Sequence, residues 1–106
     1  RVEVFKGAFF YAKCNYLGEE QISSGSLSFA YVSPMELFRK ALLKNAVMMV
    51  ILHNHPSGDP SPSEEDVAFT ERIAQGARLL GLTLADHIVI GDNRYYSFRE
   101  NHRLET

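Results

Sequence analysis

The chain has a single cysteine, Cys14, among its 106 residues. No disulfide can form within it, and a reducing, cytoplasmic setting is the natural expectation. Blocks of one charge are also missing. The 11 basic and 13 acidic side chains are mixed along the sequence, for a formal charge of -2. Contact with a phosphate backbone needs clustered positive charge, so direct nucleic-acid binding by this segment is disfavoured. Long apolar runs are absent too. The longest, Ala46 to Leu52, falls far short of the roughly 20 residues that span a bilayer. No signal-peptide pattern opens the chain, so a soluble protein without a membrane partner is expected.

What the chain does have is enough apolar content, 45%, to bury one core but too little length for two. A single domain over residues 1–106 is expected. It opens on Arg1 rather than Met, as a fragment of a longer chain would.

Residues Val2 to Ala12 mix β-branched and aromatic side chains ahead of a polar stretch around Asn15 and Gly18. This predicts a strand and hairpin, with Glu19 to Ser24 returning as the partner. Ser33-Pro34-Met35-Glu36 reads as a helix start, with Ser33 as cap, Pro34 in the first turn and Glu36 closing a capping box. Phe38, Ala41 and Leu42 would form its apolar stripe, and Asn45 would end it. The run Ala46 to Leu52 predicts a strand buried on both faces. Pro56 to Pro62, with three prolines and a glycine, must be a loop.

A second helix is expected from Ser63 to Gly81, with Asp66, Phe69, Ile73, Ala77 and Leu80 on one inward face. Leu82 to Ile90 and Tyr95 to Phe98 read as further strands around a turn at Gly91-Asp92-Asn93. Strands and helices alternate only in the middle, so the fold class is α+β, a mixed sheet flanked by two helices.

The chemistry is concentrated in His53-Asn54-His55-Pro56-Ser57-Gly58-Asp59-Pro60-Ser61-Pro62-Ser63-Glu64-Glu65-Asp66. Strand residues two apart point to one side, so His53 and His55 can offer both imidazoles to one ion. The loop then folds back and the helix turns Asp66 inward as a third ligand. Two nitrogens and a carboxylate oxygen suit zinc, and three protein ligands leave a fourth position open, the form of a catalytic rather than a structural site. Hydrolysis would also need a carboxylate to move protons. Spacing alone does not choose it from Glu3, Glu19, Glu20 and the rest. Ser63 has two roles open to it, helix cap and substrate contact. His102, in a polar tail, reads as a solvated side chain.

The run His-x-His-Pro, six residues, Ser-x-x-Asp resembles the JAMM signature of MPN-domain metalloproteases, met here by His53, His55, Pro56, Ser63 and Asp66. With Ser33-Pro34-Met35-Glu36 upstream and Asp86-His87-Ile88-Val89-Ile90-Gly91 downstream, nearly the whole chain is similar to the bacterial RadC family. The resemblance implies an MPN/JAB-like, cytidine-deaminase-like fold, a zinc ion on His53, His55 and Asp66, Glu3 as general base and Ser63 as a contact for the oxyanion. RadC-like chains usually carry Leu-Asp where this one has Phe10-Tyr11, a departure that touches no ligand. Asp86 and His87 also match the family pattern. Asp86 is either an outer acceptor that orients a ligating imidazole or a polar residue bonded to backbone.

Two classes of function follow. One is a metallohydrolase acting on a peptide or isopeptide bond of a protein substrate, as JAMM relatives do. The other is a non-enzymatic scaffold associated with DNA repair, as the RadC name suggests. The intact ligand pattern favours the first.

Overall fold

The computed structural model describes residues 3–12, 15–24 and 32–104; Val2 and Cys14 lie outside them. Five strands and two helices follow in the order β1 (Val4–Phe10), β2 (Tyr16–Ser24), α1 (Pro34–Leu43), β3 (Met48–Asn54), α2 (Glu64–Leu79), β4 (Thr83–Ile90) and β5 (Tyr95–Ser97). They form one mixed sheet in the order β2-β1-β3-β4-β5. The pairs β1–β2, β1–β3 and β4–β5 are antiparallel, and β3–β4 is parallel. The α+β class and the mixed sheet with two helices are as the sequence predicts. Among the described residues no helix is long and apolar enough to cross a membrane.

Both helices lie on the same face of the sheet. Phe5, Phe9, Met49, Ile51 and Leu84 from the strands share one core cluster with Leu37 and Ala41 of α1 and Phe69, Ile73 and Ala77 of α2. Burial along β3 therefore alternates, with Met49, Ile51 and His53 buried and their neighbours half-buried. This corrects the expectation of a strand buried on both faces: the run is apolar throughout, but only one of its faces meets helices. The helices touch where the Phe38 ring seats against Gly76; a Cβ there would lie 2.9 Å from that ring.

The α1 stripe also differs from expectation. Leu37 and Ala41 are the buried positions, Phe38 turns toward α2, and Leu42 is 49% exposed. Leu80 is exposed as well, because it caps α2 rather than continuing it. Asn45 and Gly81 do end the helices, at φ 57° and 78°, the left-handed conformation that closes a helix turn.

Ser33 caps α1 and Ser63 caps α2 as the sequence predicts, but the reciprocal box closes in the second helix rather than the first. In α1 the Ser33 hydroxyl accepts the Glu36 N–H at 3.2 Å, but the Glu36 carboxylate faces Lys40 at 3.9 Å instead of returning to the cap. The reciprocal box forms in α2, where Ser63 Oγ accepts the Asp66 N–H (3.0 Å) and Asp66 Oδ2 accepts the Ser63 N–H (2.7 Å).

Candidate metal centre

The parallel pair β3–β4 sends both carboxyl ends to the same edge of the sheet, which is where α/β units place ligands. His53 sits at the last turn of β3, opposite Val89. His55 lies just past the strand and continues the ladder through its N–H to Ile90 O, at 2.9 Å. The two imidazoles meet edge to face with centroids 4.8 Å apart. The loop then returns through Gly58, whose φ of 90° suits glycine alone. A Cβ there would sit 2.3 Å from Asp92 Oδ2, so loop and β4–β5 turn close tightly on each other, joined by Asp92 N–H to Gly58 O at 2.8 Å.

Asp66, at the third position of α2, is fully buried. Its Oδ2 lies 3.1 Å from His55 Nε2 and its Oδ1 3.7 Å from His53 Nδ1. Glu3 reaches the same point from the start of β1. The antiparallel register pairs Phe5 with His53, which sets Glu3 at the end of that strand, and its carboxylate contacts His53 Nε2. The Asn54 side chain accepts the Val4 N–H at 2.6 Å and so ties down the residue next to Glu3. Glu3, His53 and His55 each bring a donor atom within 4.8 Å of the others, a cluster that could hold a metal ion, and Asp66 packs against its histidines from behind.

The electrostatics suit a cation. Burial pushes His53 below the ordinary imidazole value, against the raising effect of the neighbouring Glu3 carboxylate, so this ring is held toward its neutral, metal-binding form. Two carboxylates converge on it, and among the described residues neither Glu3 nor Asp66 has a lysine or arginine partner. Asp66 Oδ1 is buried without a hydrogen-bond donor. A buried carboxylate left so is costly unless a cation compensates it.

Of the residues singled out in the sequence, the structure brings Glu3, His53, His55, Ser63 and Asp66 to one edge. Ser63 serves as helix cap, and because its Oγ accepts from Asp66, its own hydroxyl proton remains available to donate. Ser63→Ala is expected to cost about 1 kcal/mol of stability as a lost cap, readable by urea unfolding.

Asp86 is not an orienting acceptor for a ligand histidine. Its Oδ1 accepts the His87 and Arg99 N–H groups (2.7 and 3.0 Å), and its Oδ2 accepts the Ser97 hydroxyl (2.5 Å). Alternation turns Asp86 away from the helix-covered face, and it braces the turn after β5 instead. A backbone group does the orienting: Asp59 O lies 2.9 Å from His55 Nδ1. An Nδ1–H donated to it leaves Nε2 free to bind a metal. No side-chain pattern could have pointed to a carbonyl.

The profile of the RadC-like JAB domain matches residues 1–104. The chain belongs to this family. Similar proteins include UPF0758 proteins of Methanococcoides burtonii, 48% identical over 88 residues, with 83% of this chain and 38% of the relative covered. One from Methanosarcina acetivorans is 46% identical over 98 residues, covering 92% and 43%. One from Protochlamydia amoebophila is 43% identical over 102 residues, covering 96% and 44%. The chain thus spans less than half the length of these curated relatives, and their names state no activity. Membership of the RadC-like JAB family, together with a Glu/His/His cluster, is compatible with a metal-dependent hydrolase.

Proposed function

We propose that this RadC-like domain is a zinc-dependent hydrolase that cleaves a peptide or isopeptide bond, with His53, His55 and Asp66 as metal ligands and Glu3 as the group that moves protons. The observation that carries this reading is the convergence of Glu3 with His53 and His55 beside the buried, uncompensated Asp66. Two imidazoles and a carboxylate are a donor set suited to zinc. When bound there, zinc supplies a Lewis acid and lowers the pKa of water.

Exposure separates the two carboxylates. The Asp66 side chain is 1% exposed and the Glu3 side chain 25%. Asp66 is locked by the Ser63 N–H and faces the imidazoles, as a ligand should. Glu3 stands on the open side, where water and a substrate carbonyl arrive, and can accept a proton from water and pass it to the leaving amine. The Ser63 hydroxyl, at the rim, can donate to the carbonyl oxygen as it gains charge.

Metal content of the purified protein tests the reading. About one zinc per chain is expected in the wild type and none in His55→Ala. A wild type that takes up no metal when zinc is supplied would move the assignment to the scaffold class.

A further inference from the structure

Thr70 and His87 lie outside the proposed ligand set, yet both are almost fully buried beside it. Thr70 is one turn after Asp66 on α2, and its hydroxyl donates to the Asp66 backbone carbonyl at 2.7 Å. The same oxygen lies 2.6 Å from His87 Nδ1. A hydroxyl has one proton to give and a carbonyl has none, so with the Thr70 proton on Asp66 O the second contact must be an Nδ1–H donated by His87. This fixes the His87 tautomer and makes a continuous link from β4 to the backbone of Asp66.

His87 is itself clamped. It stacks on Phe98 with centroids 4.8 Å apart and planes 6° from parallel, and Phe98 is tied to it by Phe98 N–H to His87 O at 3.0 Å. On its other side His87 packs 5.7 Å from the His53 ring and 6.1 Å from Phe5. The Thr70–His87 contact joins β4 to the second turn of α2 on the buried side of the helix, in addition to the contacts that the Asp66 carboxylate makes with His55 and His53. Without it, α2 could slide on an apolar surface that has little directional preference.

We infer that Thr70 and His87 are positioning residues, which lock the first turn of α2 against β4 and so hold the Asp66 carboxylate at the distance from His53 and His55 that metal binding requires. This rests on the ligand assignment proposed above. Loss of an outer contact of this kind typically weakens metal binding by about 10- to 100-fold. The link differs from simple packing in that it depends on one hydroxyl and one tautomer rather than on volume.

Zinc competition against a chromophoric chelator, with the visible spectrum of the cobalt(II) form as a second readout, tests it on three proteins. Thr70→Val keeps the volume and removes the hydroxyl; it is expected to bind zinc at least about 10-fold more weakly, with a shifted cobalt spectrum. Thr70→Ser restores the hydroxyl and is expected to match the wild type in both. A folded Thr70→Val with wild-type affinity and spectrum would overturn the inference and leave the metal site standing. A wild type that binds no zinc would overturn the ligand assignment itself. Should Thr70→Val fail to fold, nitrogen-15 NMR of the metal-free wild type decides: an Nδ1–H tautomer at His87 is expected, and an Nε2–H tautomer breaks the link.

Discussion

Replacing Glu3 by Gln is expected to leave zinc bound and to lower turnover by about 10²- to 10⁴-fold, the usual contribution of a positioned proton-transfer group. Gln keeps the length and shape of the side chain and can still contact His53, but it cannot take up a proton. The ligands His53, His55 and Asp66 are untouched, and the β1 start stays anchored by Asn54 through the Val4 N–H. Metal analysis and single-turnover kinetics on a validated peptide or isopeptide substrate would separate the two effects. Metal lost together with activity would make Glu3 a ligand, which its place within 4.8 Å of both histidines makes a sharp alternative. Full activity in Glu3→Gln would assign the proton transfer to another group.

The metal-free protein is expected to lose stability steeply as the pH falls below about 6.5. Burial, reinforced by the nearby His53 and His55, lowers His87 from 6.5 to about 3. Between those values the unfolded chain binds a proton that the folded chain refuses, so stability is complete above pH 6.5, declines through the window and levels off below about 3. One such proton corresponds to a slope of about 1.4 kcal/mol per pH unit, and the whole window to about 5 kcal/mol. Urea unfolding at several pH values, in chelator, would measure the slope. His87→Asn should be shallower by about one proton, because asparagine does not titrate. Equal slopes in the two proteins would mean that His87 is not held neutral.

The pattern from His53 to Asp66 was legible because each step rests on local geometry. An apolar run sets a strand, alternation pairs His53 with His55, prolines force a loop, and helical periodicity turns Asp66 inward. Glu3 was not legible that way. It meets His53 through an antiparallel ladder, and sequence spacing carries no trace of which strands pair; only likeness to the RadC pattern pointed to it. The choice between the two roles open to Asp86 was not legible, because a polar residue in an apolar strand looks functional whichever face it takes. In fact the bulge beside Met49 and Val50 sets Asp86 opposite Val50, on the face without helices. For Thr70 the usable signal is its place four residues after Asp66 in an otherwise apolar stripe. The burial of β3 on one face only could not be read either, since side-chain hydropathy does not tell which layer covers a sheet.

Glu3 and the three proposed ligands come from segments far apart in the chain. His53, His55 and Asp66 belong to one strand–loop–helix unit, whose pieces are neighbours in the chain and are braced by the adjacent β4. Glu3 arrives only when the β1–β2 hairpin docks on β3, across a loop of 50 residues, a contact whose closure entropy makes it late to form and early to break. A partly opened molecule would therefore keep its ion and lose its reactivity. On the proposed assignment, such opening would withdraw the proton-transfer group while the three proposed ligands stay on one unit, leaving an inert metalloprotein rather than an exposed hydrolase.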